Sequence, residues 1–370
     1  MARTLLALGL SILACAVVAA AAPSNPGGRS SSGRGGSATA PAQRPAAGAG
    51  VRFGIEKAPP KQPGAIRVAT YNTLNLFDDH DDPALRGAME DIVMKITPDR
   101  AAALAAAIRA LDADILALQE VESEQALRWF RDGWLKDMGY DHIASRDVGN
   151  PRGIENSVLS RFPIRGVRTY VDMNLDAQRR DGEGWSPRPA DAPAPGRLRF
   201  ARSPLVVDVE VPRPEGEPYR LTLFSIHHKA GRDFNHQREA EALGTVAIAR
   251  ELMKSDPARN IILLGDFNAA PWDKSLRTYL EAGFVDAMSH RTTERSNPES
   301  RRYRTHESER VLDYVLLNSA AFREKIPGSA FVLGTLHPGD QYDYRTDTPP
   351  KGYASDHYPV AIDLIPVDVK

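Results

Sequence analysis

The stretch Asn260 to Pro271, NIILLGDFNAAP, holds the pattern from which the fold is predicted. Ile261 to Leu264 is a short, entirely apolar run, which is typical of a buried strand. Asp266 and Asn268 come directly after it, where the chain leaves the sheet. A lone carboxylate at a strand end is most often a turn former or a helix cap. The interpretation of this pair therefore depends on which residues lie at the ends of the other strands.

Similar apolar runs occur on both sides of this stretch. β-Branched and apolar residues predict further strands at Ile66–Tyr71, Ile115–Leu118, Val158–Ser160, Val167–Val171, Leu205–Val211, Leu221–Ile226, Leu312–Leu317 and Val360–Leu364. Helical spacing predicts helices at Asp99–Leu111, with Asp99 as N-cap, at Glu124–Asp137 and at Asn235–Met253. Many strands with few helices between them predict an α/β sandwich of packed sheets covered by helices.

Composition places the 370-residue chain among globular proteins. Apolar residues make up 42% and charged residues 26%, which excludes wholesale disorder, collagen and a multi-span membrane protein. The net charge of −1 argues against a globally basic nucleic-acid coat protein. Cys15 is the only cysteine, which excludes an intramolecular disulfide and a cysteine zinc site.

The N-terminus predicts a cleaved signal peptide over residues 1–22. Arg3 precedes an apolar run from Leu5 to Ala20, and Ala19 to Ala22 offers small residues for cleavage. An uncleaved anchor is disfavoured because the run is short for the ~30 Å of a bilayer core. A lipoprotein anchored at Cys15 is disfavoured because the apolar run continues beyond it. We therefore expect a secreted or periplasmic protein with no transmembrane segment in its mature form.

Residues 23–64 are rich in Ser, Gly, Pro and Ala, which predicts a disordered linker before a folded domain at 65–370. Residues 1–64 hold seven basic side chains and one acidic one, so the remainder has a net charge of −7. A mildly acidic domain needs local cations to act on phosphate, which favours a bound metal. Three long polar loops are predicted at 173–203, 289–306 and 335–352.

Polar residues of catalytic type lie at the ends of the other predicted strands as well. They are Asn72, Glu120, the neighbours His227 and His228, Asp356 and His357. Asp313 lies within an apolar strand between Leu312 and Val315, so we expect it to be buried and to need a histidine or a metal as partner.

Taken together, these residue types favour metal-assisted hydrolysis. Two carboxylates, Glu120 and Asp356, with the amide of Asn72 are ligands that suit Mg²⁺, with Mn²⁺ or Ca²⁺ as alternatives. A cation with an imidazole and a water-positioning Asp is what hydrolysis of a phosphate ester by in-line water attack requires.

Seven motifs, in this order, resemble those of the endonuclease/exonuclease/phosphatase superfamily: TYNTLNLFD, LALQEVES, ENSVLSRFPI, HHKAG, LLGDFNAAP, LDYVLL and SDHYPV. The resemblance spans Ile66 to Leu364 and implies a four-layered α/β sandwich with its site at one rim of the two sheets. The opening YNTLNLFDDHDDP is most similar to secreted bacterial members of the extracellular nuclease-like type.

The resemblance also implies a role for individual residues. Asn72, Glu120 and Asp356 correspond to metal-binding positions, and Asp266 to the group that orients or deprotonates the attacking water. Asn268 corresponds to the amide that holds the phosphate, His357 to the essential histidine and Asp313 to the acid that orients it. His227 corresponds to the rim histidine, with His228 as its variable neighbour. Asn156 and Arg202 are expected near the substrate phosphate.

Three classes of function remain open on this basis. The first is a secreted, metal-dependent endonuclease that hydrolyses nucleic-acid phosphodiester bonds as a monomer without a stable protein partner. Arginines of the 173–203 loop could offer it a basic strip, or could equally be solvated. The second is an enzyme on a lipid, an inositol phosphate or a nucleotide; a lipid substrate needs an exposed apolar hairpin, and Phe331–Leu333, the one candidate, is predicted to be core. The third is a non-catalytic binding module, which the full set of catalytic residue types disfavours.

Overall fold

A computed structural model describes residues 50–369, except 84, 87–90, 181–183, 290–297 and 340. The predicted signal peptide and residues 23–49 of the predicted linker lie outside the described residues. Among the helices that are described, none combines the length and apolar character needed to cross a bilayer.

The first six-stranded sheet is built from the N-terminal and C-terminal parts of the region 65–370. Its strands are β2 (Ile66–Leu76), β3 (Ile115–Val121), β4 (His142–Ser145), β5 (Glu155–Ser160), β12 (Phe331–Val332) and β14 (Val360–Leu364). They lie in the order β12-β14-β2-β3-β5-β4, in which β2 and β3 are parallel and the other pairs antiparallel.

The second six-stranded sheet is built from the middle of the chain. Its strands are β6 (Ile164–Arg168), β7 (Leu205–Val211), β8 (Tyr219–His227), β9 (Asn260–Asp266), β10 (Val285–Asp286) and β11 (Asp313–Leu317). They lie in the order β10-β11-β9-β8-β7-β6. Here β8 and β9 are parallel, and the other pairs are antiparallel.

The two sheets pack face to face and helices cover their outer faces. The helices are α1 (Asp91–Met94), α2 (Pro98–Leu111), α3 (Glu124–Trp134), α4 (Asn235–Ser255), α5 (Lys274–Glu281) and α6 (Ser319–Glu324). Apolar residues that alternate along the strands, such as Val68, Val207 and Leu264, form the core between the sheets. A second core lies under α2 and α3, and a third lies under α4 and α5. The predicted four-layered α/β sandwich is confirmed.

Several predicted element boundaries were wrong, and the helix predicted at Glu124–Asp137 ends at Trp134. Helix α2 begins one residue before the predicted start, because Thr97 is the N-cap and its hydroxyl accepts from Arg100 N. Pro98 at the first helical position favours this start, since proline lacks the N–H that a helix end leaves unused. The strand predicted at Val167–Val171 is instead β6 (Ile164–Arg168).

Residues 50–64, predicted as part of the disordered linker, belong to the fold. Gly50–Val51 forms β1, which pairs with β13 (Leu336–His337), and Phe53 is only 3% exposed within the central core. Lys61 reaches Asp114 at 2.9 Å. The linker composition concealed this arm because Phe53 is its one buried aromatic residue, and the other contacts are made largely by the backbone. Phe331–Leu333 is buried, as predicted.

Candidate functional site

Strand register brings three of the predicted side chains into one row. Asp266 at the end of β9 lies opposite His227 on β8 and opposite Asp313 on β11. The approach of β8 and β9 depends on Gly265, which has φ +145° and where a Cβ would lie 1.9 Å from Ile226 O. A side chain at position 265 would therefore displace Asp266 from this row.

Asp266 is the centre of the cluster. Its Oδ1 accepts from Asn268 N at 2.8 Å, and its Oδ2 accepts from the Asn268 side chain at 3.0 Å. Asn72 of the other sheet donates to the same Oδ2 at 3.3 Å. Nε2 of His227 and Nε2 of His357 lie 3.5 and 3.8 Å from it. One carboxylate oxygen thus joins residues of both sheets.

His357 and Asp313 form a buried pair beside it. Nδ1 of His357 donates to Asp313 Oδ2 at 2.8 Å, and the side chains are 7% and 1% exposed. Burial by itself would lower the pKa of His357, but the negative charges of Asp313 and Asp266 outweigh it and raise that pKa well above its usual value. The pair therefore holds an imidazolium whose Nε2 faces Asp266.

The pKa of His227 is shifted in the opposite direction to that of His357. His227 is fully buried, and burial together with the positive charges of Arg202 and His357 lowers its pKa well below the usual value. Its Nε2 lies 3.8 Å from Glu120 Oε1. We conclude that the two histidines have different protonation states, which suits one to offset negative charge and the other to accept or donate a hydrogen bond.

Glu120 reaches the site through a strained backbone. The pairing of β3 shifts register beyond Leu118, and Glu120 adopts φ +61°. Leu74 and Asn75 on the neighbouring β2 also have positive φ, at 54° and 55°. Asn75 N donates to Glu120 Oε2 at 3.0 Å. Left-handed non-glycine residues are costly and cluster at functional sites, so this bulge is further support for a site here.

Asp356 directly precedes His357 in the sequence and is buried like it. It forms a 3.3 Å contact with Nε2 of His306, and its Oδ1 is buried without a hydrogen-bond partner among the described residues. Burial would raise the pKa of Asp356, but the hydrogen bond from His306 and the charge of His357 together lower it. Sequence reasoning missed His306.

The donor set fits a hard divalent cation. Glu120 and Asp356 offer carboxylate oxygens, and Asn72 offers an amide oxygen that also accepts from Leu74 N. The orphaned, buried Oδ1 of Asp356 lacks the positive partner that a buried carboxylate requires. Within the described part of the chain, His306, Asp356 and His357 are close enough to share an ion, as are Asp266, Asp313 and His357.

Two residues that are predicted to bind substrate, Asn156 and Arg202, make hydrogen bonds within the protein. The amide of Asn156 donates to Ser203 O at 2.9 Å. Arg202 is 5% exposed, and its guanidinium donates to the backbone carbonyls of His227 at 3.0 Å and His228 at 2.6 Å. Arg202 therefore supports the His227–His228 backbone, and its contact with a substrate phosphate stays a prediction.

His228 is buried and held by two protein side chains. Its Nδ1 lies 3.1 Å from Glu241 Oε2, and its Nε2 lies 2.7 Å from Tyr279 Oη. Glu241, fully buried on α4, also accepts from Ala201 N and Lys229 N. Sequence reasoning missed this carboxylate, which ties the site loop to the end of the 173–203 loop.

Three arginines of that loop are engaged by protein groups, Arg179 by helix α4 and Arg188 and Arg199 by the loop itself. Arg179 contacts Glu239 at 3.4 Å, and Arg188 contacts Asp176 at 2.9 Å. Arg199 donates to the carbonyl of Leu198. The basic strip and the solvated loop both stay predictions.

A sequence profile described as the Endonuclease/Exonuclease/phosphatase family matches residues 69–357. The chain belongs to this family. Members of this family are generally metal-dependent hydrolases that act on phosphoric esters. The buried carboxylates and histidines described above lie within the matched residues of this chain.

Solved structures are similar to this chain at low identity. The human Nocturnin catalytic domain with bound sulfate is 16% identical, with a TM-score of 0.48 over 82% of this chain and 95% of that one. A family protein from Bacteroides thetaiotaomicron is 17% identical, with a TM-score of 0.46 over 81% and 97%. One from Beutenbergia cavernae is 19% identical, with a TM-score of 0.48 over 81% and 71%. No curated protein matches the sequence.

Proposed function

We propose that this chain is a secreted or periplasmic, divalent-metal-dependent phosphodiesterase and that its substrate is nucleic acid. The observation that carries the proposal is the His357–Asp313 pair facing Asp266. Glu120 lies near His227, and Asp356 lies near His306. The opening motif and the predicted signal peptide support nucleic acid and an extracytoplasmic location.

Glu120 and Asp356, with Asn72, are the residues proposed to hold the cation. When bound, Mg²⁺ or Mn²⁺ would offset negative charge on the phosphoryl oxygens. Asp266 is proposed to orient and deprotonate the attacking water, because its Oδ2 is the point at which the side chains of both sheets meet. The imidazolium of His357, held by Asp313, would stabilise charge that develops on the phosphate.

Asn268 and His227 complete the proposed machinery. Asn268 has φ +48° and donates to both Asp266 and His228 O, so its amide is fixed at the edge of the cluster. Neutral His227 faces Glu120 and Asp266 through Nε2. His227 is proposed to hydrogen-bond a phosphate oxygen, and Asn268 to do so by redirecting one of its two amide N–H groups from Asp266 or His228 O.

The test is hydrolysis of bis(p-nitrophenyl) phosphate by the full chain with Mg²⁺ or Mn²⁺. We expect turnover that EDTA abolishes and that added metal restores; turnover unaffected by chelation would reject the mechanism. A panel of plasmid DNA, single-stranded DNA, RNA, sphingomyelin and inositol phosphates then tests the substrate class. Cleavage of sphingomyelin or inositol phosphates without cleavage of either nucleic acid would overturn that part of the proposal.

A further inference from the structure

His306 is brought to the site by a short backbone pairing. The segment around His306 runs antiparallel to the segment around His357, with a bridge between these two residues. Glu307 N donates to Asp356 O, and Tyr358 N donates to Thr305 O, each at 2.8 Å. These bonds fix the main chain of His306 beside Asp356, so the proximity of the two side chains is built into the fold.

The hydrogen bonds of His306 select one neutral tautomer. Ser308 N donates to Nδ1 at 2.9 Å, and Ser308 Oγ lies 2.7 Å from the same nitrogen. A backbone N–H can only donate, so Nδ1 must be the acceptor and Nε2 carries the proton. The protonated Nε2 then lies 3.3 Å from Asp356 Oδ2, a contact that lowers the pKa of Asp356.

The ring of His306 is also packed in place. It lies edge-on to His357, with centroids 4.5 Å apart and an angle of 75°, and edge-on to Tyr344 at 5.2 Å and 88°. His306 is 8% exposed. A packed ring that donates to Oδ2 restricts rotation of the Asp356 carboxylate and leaves Oδ1, which is buried and has no partner in the described part of the chain, as its available oxygen.

We propose that His306 is a positioning residue that orients the Asp356 carboxylate, through the Nε2–H to Oδ2 hydrogen bond, so that Oδ1 is presented to the divalent cation. This inference rests on the proposed function. It makes His306 a hydrogen-bond donor to a ligand, and the proton on Nε2 prevents that nitrogen from being a ligand itself. Outer hydrogen bonds of this kind typically contribute 10- to 100-fold to metal affinity.

Two variants separate the hydrogen bond from the packing. His306→Phe keeps an aromatic ring between His357 and Tyr344 but has no donor. His306→Gln offers an amide N–H at about the reach of Nε2. Mn²⁺ affinity is measured by isothermal titration calorimetry of the full chain without substrate, and the melting temperature without metal shows that each variant folds.

We expect His306→Phe to weaken Mn²⁺ binding about tenfold or more, and His306→Gln to stay within about threefold of the wild type. Activity of His306→Phe should recover as Mn²⁺ is raised to saturation, since the loss is in cation affinity. Unchanged affinity in His306→Phe, or an equal loss in both variants, would overturn the inference. A wild-type chain that binds no Mn²⁺ would instead reject the proposed function, so the two failures are distinguishable.

Discussion

Replacement of Asp266 by Asn changes the charge at the meeting point of the two sheets while keeping the side-chain shape. In the wild type, Oδ1 accepts from Asn268 N at 2.8 Å and Oδ2 accepts from the Asn268 and Asn72 amides at 3.0 and 3.3 Å. Whichever way the new amide is turned, its NH₂ group faces at least one of these donors. The variant therefore loses both a proton acceptor and at least one hydrogen bond.

The magnitude is set by these two losses. A positioned acid or base contributes about 10²- to 10⁴-fold to rate, so we expect kcat to fall at least about 100-fold, or about 2.7 kcal/mol. The lost hydrogen bond at a buried group costs about 1–3 kcal/mol of stability, which leaves the fold intact.

The assay is kcat for bis(p-nitrophenyl) phosphate at saturating metal, with the melting temperature as a folding check. Asp208→Asn is the matched control, because Asp208 lies in β7 of the same sheet, pairs with Arg168 and takes no part in the cluster. The control should stay within about twofold of the wild type. A loss below tenfold in Asp266→Asn, with a folded protein, would refute the assigned role.

Two other buried carboxylates give predictions about stability. Glu241→Gln places an NH₂ group against donors such as Ala201 N or Lys229 N, so the free energy of unfolding in urea should fall by about 2–4 kcal/mol. The control is Glu251→Gln, an exposed position on the same helix, which should change this free energy little. Equal losses in the two variants would contradict the prediction. Burial raises the pKa of Glu155 from 4.5 to about 8. As the pH rises, the unfolded state therefore releases this proton before the folded state does. Between pH 5 and 8, the free energy of unfolding of the wild type should fall by about 1.4 kcal/mol per pH unit relative to that of Glu155→Gln. A difference between these two proteins that does not vary with pH would show that Glu155 titrates normally.

The row of Asp266, His227 and Asp313 was predictable because buried strands have a recognisable residue pattern. Apolar runs marked β8, β9 and β11, and polar side chains at their ends had to meet at one edge once the strands paired. The same reasoning placed Asn72 and Glu120 on β2 and β3. The bulge that turns Glu120 toward the site left no mark in the pattern of residue types.

His306 and Glu241 could not be found in this way. His306 lies in a polar stretch and reaches Asp356 only through a two-residue backbone bridge, for which a single sequence carries no signal. Glu241 lies on an amphipathic helix, where a charged residue is ordinarily assigned to the exposed face. Phe53 was hidden by the Gly- and Pro-rich composition around it. Each of these positions is set by tertiary contacts and not by local preference.

Anomalous diffraction from crystals soaked in MnCl₂ tests the central claim most directly. Glu120 and Asp356 should share one Mn²⁺ beside the His357–Asp313 pair, with the orphaned Oδ1 of Asp356 as a ligand. The group formed by buried Asp78 with exposed Asp79 and His80 at the surface is an internal alternative for the ion. A peak at that surface group, with none between Glu120 and Asp356, would contradict the account.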